Sequence, residues 1–357
     1  MGIGVKRRSL GHRGVSLIEV LVVTGILSAT LAIMLPMINQ ARMIAARQAC
    51  VNKMRNLAQG VLFYEGFNGR LPVAGVVGPS DGNSFLRAGY DQNSGNQLSW
   101  IVLVLPFIGE DQLASQFEIS KSATNQQHDA QSQSLASLVC PSDGGTVDRK
   151  FVSSTLGREF GVGNYAAFIS PVHGEQQQHW AGALGGFKPG GLEGQPIRKI
   201  RDGLNKTMLL SEVRTNPFTG RDPRGAWALP WIGSTTLAAD AHPVLAGANL
   251  NDIRNVPYVP DTSYPVDQVQ RPNSQIGAVD QVSPCGQPLM SALSAMPCTR
   301  YPGYGRGFAS AAPRSFHENG VNAAFLDGHI EFLSDETDHL IFARRVSVDD
   351  AAHASLN

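Results

Sequence analysis

The pattern that comes closest to a catalytic motif is Gly-Pro-Ser-Asp-Gly at residues 78–82. Its Gly-x-Ser-x-Gly spacing is that of a nucleophile elbow, which holds a serine, here Ser80, on a sharp turn between a strand and a helix. Residues 71–77 can form a short strand, but residues 81–84 have the composition of a turn rather than of a helix start. We therefore predict that the chain is not an enzyme. An anchored hydrolase is the alternative that depends on Ser80.

His317 and Asp327 are the next candidates, since a histidine and an aspartate can share a metal ion. Residues 321–326 between them are predicted to form a strand, which spans about 20 Å at about 3.3 Å per residue. The two side chains then lie toward opposite ends of that strand, a poor geometry for one metal. We interpret Asp327, with Gly328, as forming a turn and His317 as a cap or loop anchor. The nine histidines are scattered, and no His-Glu-x-x-His pattern occurs.

The N-terminal 38 residues combine a short basic leader, one acidic residue and a long apolar run. Residues 15–38 are long enough to cross a bilayer, which takes about 20 apolar residues. Glu19 lies near the start of that run, and a carboxylate there costs up to about 3 kcal/mol at mid-membrane and less near the interface. A cut after Gly14 would create an α-amino group on Val15, one helical turn from Glu19, that neutralises this charge.

This arrangement resembles the processing site of type IV prepilins and type II secretion pseudopilins. In those proteins prepilin peptidase cuts after a glycine that ends the leader and methylates the new N-terminus, and a glutamate occupies the fifth mature position. Gly14, Val15 and Glu19 occupy these places here. Phe or Met more often follows the glycine, and Ser16 replaces the commoner Thr. The alternative is an uncleaved signal anchor. A secretory signal peptide is disfavoured because no small-x-small site closes this long run.

Charge placement alone does not orient the chain. Four basic residues lie in the leader and four more between residues 42 and 55, so the positive-inside count is close to a tie. The resemblance implies an inner-membrane protein with a single pass, a cytoplasmic N-terminus and a periplasmic or exported body. The partners that it implies are prepilin peptidase and other pseudopilin-like subunits, which pack through the N-terminal helix.

The composition fits an exported globular body. The chain has 357 residues, of which 29 are basic and 29 acidic, and removing the four basic residues of the leader leaves 25 against 29. A mildly acidic body argues against a nucleic-acid surface. Only 16% of the residues are charged, while Gly and Pro number 38 and 21. We therefore expect many loops and short strands.

The four cysteines are an even number in a compartment that permits disulfides. No Cys-x-x-Cys occurs, so neither a zinc ribbon nor a thioredoxin-like site is supported. Three pairings are possible. We favour Cys285 with Cys298, which would staple a proline-rich loop, and Cys50 with Cys140, which would tie the long helix to the body.

A second resemblance covers nearly the whole chain. It is to a family of prepilin-like proteins that carry a domain of unknown function and are especially abundant in planctomycetes. The C-terminal signature of that family is a His, nine residues and then Asp-Gly, matched by His317 and Asp327-Gly328. The other matching stretches are residues 41–52, 103–108, 140–143, 164–167 and 200–213. The family implies a pseudopilin-like envelope protein and supplies no catalytic residues.

Calcium is the one cofactor that the resemblance leaves open, since some pseudopilins bind it in a loop near the C-terminus. Asp335, Glu336 and Asp338 are placed to offer carboxylate oxygens to such an ion. A solvated acidic loop explains the same residues, and we favour that interpretation. No other cofactor is expected.

A long N-terminal helix is predicted over residues 15–64, about 75 Å at 1.5 Å per residue. Pro36 removes one backbone donor and should kink it. In its second half apolar residues recur at helical spacing and should lie on a sheet; they are Met54, Leu57, Val61 and Tyr64, with Cys50 one turn earlier.

The clearest β signal is a hairpin over residues 321–333, with Asp327-Gly328 as a two-residue type I′ turn. This register sets Phe325 opposite Ile330, so that one face is apolar. The other face then carries Asn322, Glu331 and His329. Residues 206–213 are a further predicted strand, and the buried run 99–106 can be either helix or strand.

We therefore predict an α+β protein, with a long N-terminal transmembrane and amphipathic helix packed on an antiparallel sheet with long loops. The predicted segments are a leader (1–14), a transmembrane segment (15–38), a helix extension (39–70), an exported body (71–345) and a tail (346–357). The predicted function is that of a non-enzymatic pseudopilin-like subunit of a type II secretion or pilus-like assembly. The alternative is a membrane-tethered periplasmic or surface protein that binds glycan or another ligand without polymerising, suggested by Trp180, Trp227 and Trp231.

Overall fold

The computed structural model describes residues 16–78, 91–144, 149–188, 190–216, 220–245, 256–275, 277–300 and 309–350. The chain divides into two compact units, Met1–Ala46 and Arg47–Asn357. The first unit contains the apolar half of the N-terminal helix. The second contains the rest of that helix and the whole α+β body.

The N-terminal helix α1 extends from Leu17 to Asn68, 52 residues with Pro36 inside it. It ends four residues beyond the predicted boundary. Its first half is fully exposed and is long and apolar enough to cross a membrane, by length and composition. The structure thus contains the long apolar helix that the sequence predicts.

The hydroxyl groups in this apolar half are paired within the helix itself. Thr24 donates to the Val20 carbonyl at 2.9 Å, Ser28 to the Thr24 carbonyl at 2.7 Å and Thr30 to the Leu27 carbonyl at 2.9 Å. In lipid an unpaired polar group is costly. Because these hydroxyls already bond to backbone oxygens, they are compatible with a hydrocarbon environment.

The second half of α1 packs on the body as predicted. Its buried residues are Cys50, Met54, Leu57, Ala58, Gly60 and Val61. Tyr64 is half-buried, and its ring meets Phe107 edge-on at 5.8 Å. At Gly60 a Cβ would lie 2.5 Å from Ile108 Cγ2, so the glycine permits the close approach of the 3₁₀ turn beneath it.

The body contains eleven strands and four short α-helices among the described residues. The strands are β1 Gly75–Val76, β2 Leu98–Ser99, β3 Lys150–Ser153, β4 Arg158–Gly161, β5 Tyr165–Ser170, β6 Met208–Glu212, β7 Thr236–Ala238, β8 Asp280–Val282, β9 Cys298–Arg300, β10 Gly320–Phe325 and β11 Ile330–Ser334. The helices are α2 Trp100–Val104, α3 Asp111–Ala114, α4 Pro288–Leu293 and α5 His339–Val346. The undecided run 99–106 is thus mainly helical, and the strand predicted at 206–213 is β6.

The central sheet has five strands in the order β11-β10-β6-β5-β7. Neighbours are antiparallel except β5 and β7, which run parallel. Every residue of β5, β6, β7 and β10 is buried, so both faces of the sheet centre are covered. Three two-stranded sheets, β1-β2, β3-β4 and β8-β9, lie outside it. The α+β class is confirmed, and the parallel β5-β7 pair is an addition that the sequence did not predict.

The C-terminal hairpin is present, but its turn differs from the prediction. β10 pairs with β11 so that Ala324 faces Ile330, one residue out of the predicted register. Within the turn only Gly328 has a positive φ, of 88°, and its N–H donates to the Phe325 carbonyl at 2.9 Å. A type I′ turn needs two residues with positive φ, whereas a glycine in the left-handed region closes a three-residue loop.

The one-residue shift changes which side chains share a face. Asn322 faces Phe332 and is buried, whereas the prediction placed Asn322 on a solvated face. Glu331 instead faces Ala323 and accepts a hydrogen bond from Arg345 Nη1 at 2.6 Å. The hairpin therefore brings a polar residue into the core.

The body extends past the predicted boundary at residue 345. Val346 and Val348 are buried, and the Val348 carbonyl accepts the N–H of Arg201 at 2.8 Å. Asp350 N–H donates to Asp202 Oδ2 at 2.9 Å. The first residues assigned to a tail thus pack on the body, because α5 turns them back toward the loop before β6.

Candidate functional site

The structure contains both of the favoured disulfides. Cys50 is bonded to Cys140 and Cys285 to Cys298, and no cysteine is free. The first bond joins α1 to the loop that precedes β3, so it fastens the helix covalently to the body. The second joins the loop after β8 to the start of β9.

The matched stretches of the sequence meet around the Cys50–Cys140 disulfide. They contribute the residues that we call the motif node: Cys50, Cys140, Asp143, Asn164, Glu212, His317 and Asn322. These residues come from α1, the loop before β3, the loop before β5, the end of β6, the loop before β10, and β10 itself. The sheet order places β6 between β5 and β10, which is why such distant segments converge.

Asn164 and Asp143 organise one side of the motif node. Asn164 accepts the Cys140 N–H at 2.8 Å and donates through Nδ2 to Asp143 Oδ2 at 2.6 Å and to the Val213 carbonyl at 3.0 Å. The same Asp143 oxygen accepts the N–H and the hydroxyl of Thr215 at 3.0 and 2.9 Å. The loop that carries Cys140 is thereby held to the end of β6.

Glu212 organises the other side. Its carboxylate accepts the backbone N–H of Asn322 at 2.8 Å and the side-chain amide of Asn322 at 3.0 Å. His317 Nε2 lies 3.0 Å from Oε1, within hydrogen-bond distance. Glu212 is 1% exposed, so protein groups rather than water satisfy its side-chain oxygens.

The chemistry of the motif node is that of a structural tie. The Tyr165 hydroxyl donates to the Cys50 carbonyl at 3.1 Å. The pKa of Tyr165 is raised well above its usual value, mainly by burial and to a smaller extent by the nearby Glu212. Cys50, Cys140, Glu212 and His317 bring four ligand-type atoms within 4.8 Å. Because both sulfurs are in the disulfide, they are not available as metal-binding thiolates.

The structure does not bring His317 and Asp327 together. His317 pairs with Glu212, whereas Asp327 accepts from His329 Nδ1 at 2.5 Å and from the His329 N–H at 3.1 Å. Burial alone would raise the pKa of Asp327, but these contacts with His329 lower it. Asp327 and Gly328 lie in the turn, although the turn is a three-residue loop and not the predicted two-residue type I′ turn. His317 anchors its loop through Glu212, a carboxylate that the sequence did not indicate.

The acids considered for calcium have separate roles. Asp335 accepts from Asn273 Nδ2 at 2.8 Å, and Asp338 caps α5 by accepting the N–H groups of Leu340 and Ile341 at 2.9 and 3.0 Å. Among the described residues two groups bring three or more ligand-type atoms within 4.8 Å, and neither includes these acids. The second group consists of His173, Asp240 and His242.

Glu19 takes part in a capping box at the start of α1. Its carboxylate accepts the Ser16 N–H at 2.9 Å, and the Ser16 hydroxyl accepts the Glu19 N–H at 3.2 Å. The Ser-x-x-Glu spacing was a signal for this arrangement that the sequence reasoning missed. Gly14 and Val15 lie outside the described residues, as does Ser80 of the proposed elbow.

The tryptophans that suggested a glycan platform are core residues. Trp180, Trp227 and Trp231 are between 1% and 3% exposed. Each indole N–H donates to a protein oxygen, at 2.9 to 3.2 Å. A stacking platform for a sugar needs an accessible ring face, so these residues do not support the glycan-binding alternative.

Sequence reasoning also missed a buried charge network in the body. Arg224 bonds to Asp222 at 2.6 Å and to Asp280 at 2.8 Å, and Arg314 bonds to the two oxygens of Asp280 at 2.7 and 3.0 Å. All four side chains are at most 2% exposed. Buried charges must be paired, and these arginines are paired with aspartates that the sequence did not identify as their partners.

The structure defines an α+β protein whose long N-terminal helix is fastened to a mixed sheet by a disulfide and by the motif node. The chain belongs to the family described as "Protein of unknown function (DUF1559)", which it matches over residues 39–340. The match covers the second half of α1 and the body as far as the start of α5. No curated protein and no solved structure matches the chain.

Proposed function

We propose that this protein is a non-enzymatic, pseudopilin-like subunit of the cell envelope, inserted into the inner membrane by its N-terminal helix and matured after Gly14. The observation that carries the proposal is the Gly14-to-Glu19 spacing at the head of a helix that is apolar for its first half. Membership of the DUF1559 family is compatible with this role but does not specify it.

The capping box supports this role for Glu19. The carboxylate reaches back to Ser16 N–H, and so points along the chain toward the residue that cleavage would turn into the N-terminus. An α-ammonium group on Val15 would be one residue further along. In a filament a neighbouring subunit's ammonium group competes for the same carboxylate. Each charge then gains a partner in lipid.

The disulfide and the motif node support the proposal mechanically. A subunit that is held in an assembly by its helix must transmit force from helix to body. The Cys50–Cys140 bond makes that connection covalent, and the buried stripe of α1 adds an apolar interface. Type II secretion and pilus-like assemblies are both compatible with such a subunit, with prepilin peptidase and other pseudopilin-like chains as partners.

The first test is the mass of the N-terminal peptide of the protein purified from its native membrane. We expect a peptide that begins at Val15, with or without a methyl group. An intact leader, or a first residue beyond Ile38, would overturn the proposal.

A pair of variants separates assembly from helix capping. Glu19→Ala removes the carboxylate, whereas Ser16→Ala removes the other side chain of the same capping box and leaves the carboxylate in place. We expect loss of cross-linked oligomers in Glu19→Ala, with normal membrane insertion, and retention of oligomers in Ser16→Ala, which costs about 1 kcal/mol of helix stability. If both variants retain the cross-linked oligomers to the same extent, Glu19 acts only as a helix cap and the protein is a tethered monomer.

A further inference from the structure

A second polar cluster lies at one edge of the central sheet. β5 and β7 are parallel neighbours, so their carboxyl ends reach the same edge. His173 follows the end of β5 at Ser170, and Asp240 and His242 follow the end of β7 at Ala238. In sheets with parallel strands, ligand sites form at this edge because the loops that leave adjacent strands face each other.

The three side chains, which we call the histidine cluster, converge on one carboxylate oxygen. Asp240 Oδ1 lies 2.7 Å from His173 Nε2 and 3.1 Å from His242 Nε2. All three ligand atoms lie within 4.8 Å of one another. Zinc bonds of about 2.1 Å in a tetrahedral site place ligand atoms about 3.4 Å apart. To seat an ion, the His173–Asp240 pair at 2.7 Å has to separate by about 0.7 Å and the His242–Asp240 pair at 3.1 Å by about 0.3 Å.

Neighbouring groups hold the ligands in orientation. The His242 ring stacks on the Tyr264 ring with centroids 4.5 Å apart, and it meets the His173 ring edge-on with centroids 4.9 Å apart. The Tyr264 hydroxyl forms a hydrogen bond with the Asp240 carboxylate. Donors of this kind behind a metal ligand fix its orientation.

The backbone at Asp240 is also held in an uncommon conformation. Its φ of 53° lies in the left-handed region, which few non-glycine residues adopt. The Asp240 N–H donates to the Val172 carbonyl at 2.8 Å and keeps the residue there. This conformation turns the carboxylate toward both imidazoles.

The cluster opens onto a cavity of about 470 Å³. The side chain of His242 is 35% exposed, whereas those of His173 and Asp240 are 4% and 10% exposed. The cavity walls include Tyr264, Asp267 and Gln281. Three protein ligands and an open side are the arrangement of zinc sites that keep one position for water or a ligand.

We propose that His173, Asp240 and His242 bind one divalent transition-metal ion, with a fourth position that faces the cavity. Two imidazoles and one carboxylate favour Zn²⁺ over Ca²⁺ or Mg²⁺, which prefer sites made of oxygen ligands. This site is independent of the proposed assembly role. His173 and Asp240 are separated by 67 residues in the sequence, so the site exists only in the folded body.

The test is a titration of the full chain, purified in detergent without a histidine tag and stripped by a chelator, with Zn²⁺ alone. We expect one equivalent to bind, and affinity to fall by more than about 100-fold in His242→Ala. The matched control is His329→Ala, which removes a histidine from another carboxylate pair, Asp327–His329, that lacks a second imidazole. That variant should bind Zn²⁺ as the wild type does.

A second measurement does not depend on any variant folding. Co²⁺ added to the wild-type protein should give the visible absorption bands of a four- or five-coordinate site, and one equivalent of Zn²⁺ should abolish them. Ca²⁺ at the same concentration should leave them unchanged. The proposal is overturned if no band appears, if His242→Ala binds Zn²⁺ as tightly as the wild type, or if Ca²⁺ competes equally.

Discussion

The motif node and the histidine cluster are built from the same pair of groups, a histidine and a carboxylate 2.7 to 3.0 Å apart, in opposite surroundings. Glu212 in the node is enclosed, and its acceptor capacity is taken up by Asn322 and His317. Asp240 in the cluster lies beside a cavity, with a second imidazole that is one third exposed. An enclosed pair can only hold parts of the fold together. An open pair with an additional ligand can also bind.

The largest effect should come from the disulfide at the motif node. Replacing both Cys50 and Cys140 by serine should lower the free energy of unfolding by about 4–5 kcal/mol, because the bond closes a loop with a sequence separation of 90. The control is the serine pair at Cys285 and Cys298, with a separation of 13, which should cost about 3 kcal/mol. Denaturant unfolding of the full chain in detergent measures both. A larger loss from the second pair would refute this ranking.

Glu212→Gln should lower the free energy of unfolding by about 2–3 kcal/mol. The glutamine amide has one acceptor oxygen where the carboxylate has two. Its NH₂ group replaces the other oxygen and faces a donor, so a buried donor loses its hydrogen-bond partner. Glu331→Gln is the matched control, because Glu331 pairs with Arg345 at a partly exposed site and should cost less than about 1 kcal/mol. Equal costs would mean that the enclosure of the node does not matter.

Zinc should distinguish the two pairs directly. At a free Zn²⁺ concentration of 100 times its Kd, the wild-type protein should gain about 2.7 kcal/mol of stability, seen as a rise in melting temperature. Glu212→Gln should start from a lower melting temperature and show the same rise, whereas Asp240→Asn should show little or none. If the rise in melting temperature also disappears in Glu212→Gln, then zinc binds at another site or the two histidine–carboxylate pairs are coupled.

The smallest expected effect on stability comes from Asp202, a buried carboxylate that has no histidine partner. Burial and the neighbouring Asp350 raise the pKa of Asp202 to about 7. Between about pH 4 and pH 7 the folded protein then holds a proton that the unfolded chain releases, so stability falls as pH rises through that window. Because the site is partly solvated, only part of the roughly 4 kcal/mol that this shift represents should appear as stability. Asp202→Asn should therefore raise stability by about 1–2 kcal/mol at pH 8 and leave it unchanged at pH 4.

The control for this prediction is Asp349→Asn, which alters an adjacent acid that pairs with the exposed Arg201. Melting curves of the three proteins from pH 4 to pH 8 provide the measurement. A wild-type stability that does not fall across this range, or an Asp202→Asn curve parallel to that of the wild type, would contradict the raised pKa.

Much of the fold follows from local patterns. The stripe Met54, Leu57 and Val61 has helical spacing, and those residues are buried as predicted. The strand at 206–213 is an apolar run after a turn signal, and it forms β6. Periodicity of this kind depends only on near neighbours in the sequence, and tertiary packing reinforces it rather than overriding it.

The hairpin shows where a local pattern fails. Asp-Gly is compatible with a type I′ turn and with a three-residue loop that has only the glycine at positive φ. Packing of Asn322 against Glu212 selects the second register. Glu212 and Asn322 interrupt apolar runs in β6 and β10, and such polar residues are the one signal in the sequence that could have indicated a buried node.

By itself the sequence determined the long apolar helix, its amphipathic continuation, the α+β class and the segments that carry the motif residues. These features depend on composition and short-range spacing, which the chain carries whether it is folded or not. Tertiary structure alone decided that Glu212 faces His317, and that the parallel pairing of β5 with β7 brings His173 to Asp240. Contacts between residues far apart in sequence arise when the core closes, because only then do sheet order and burial determine which polar groups must pair.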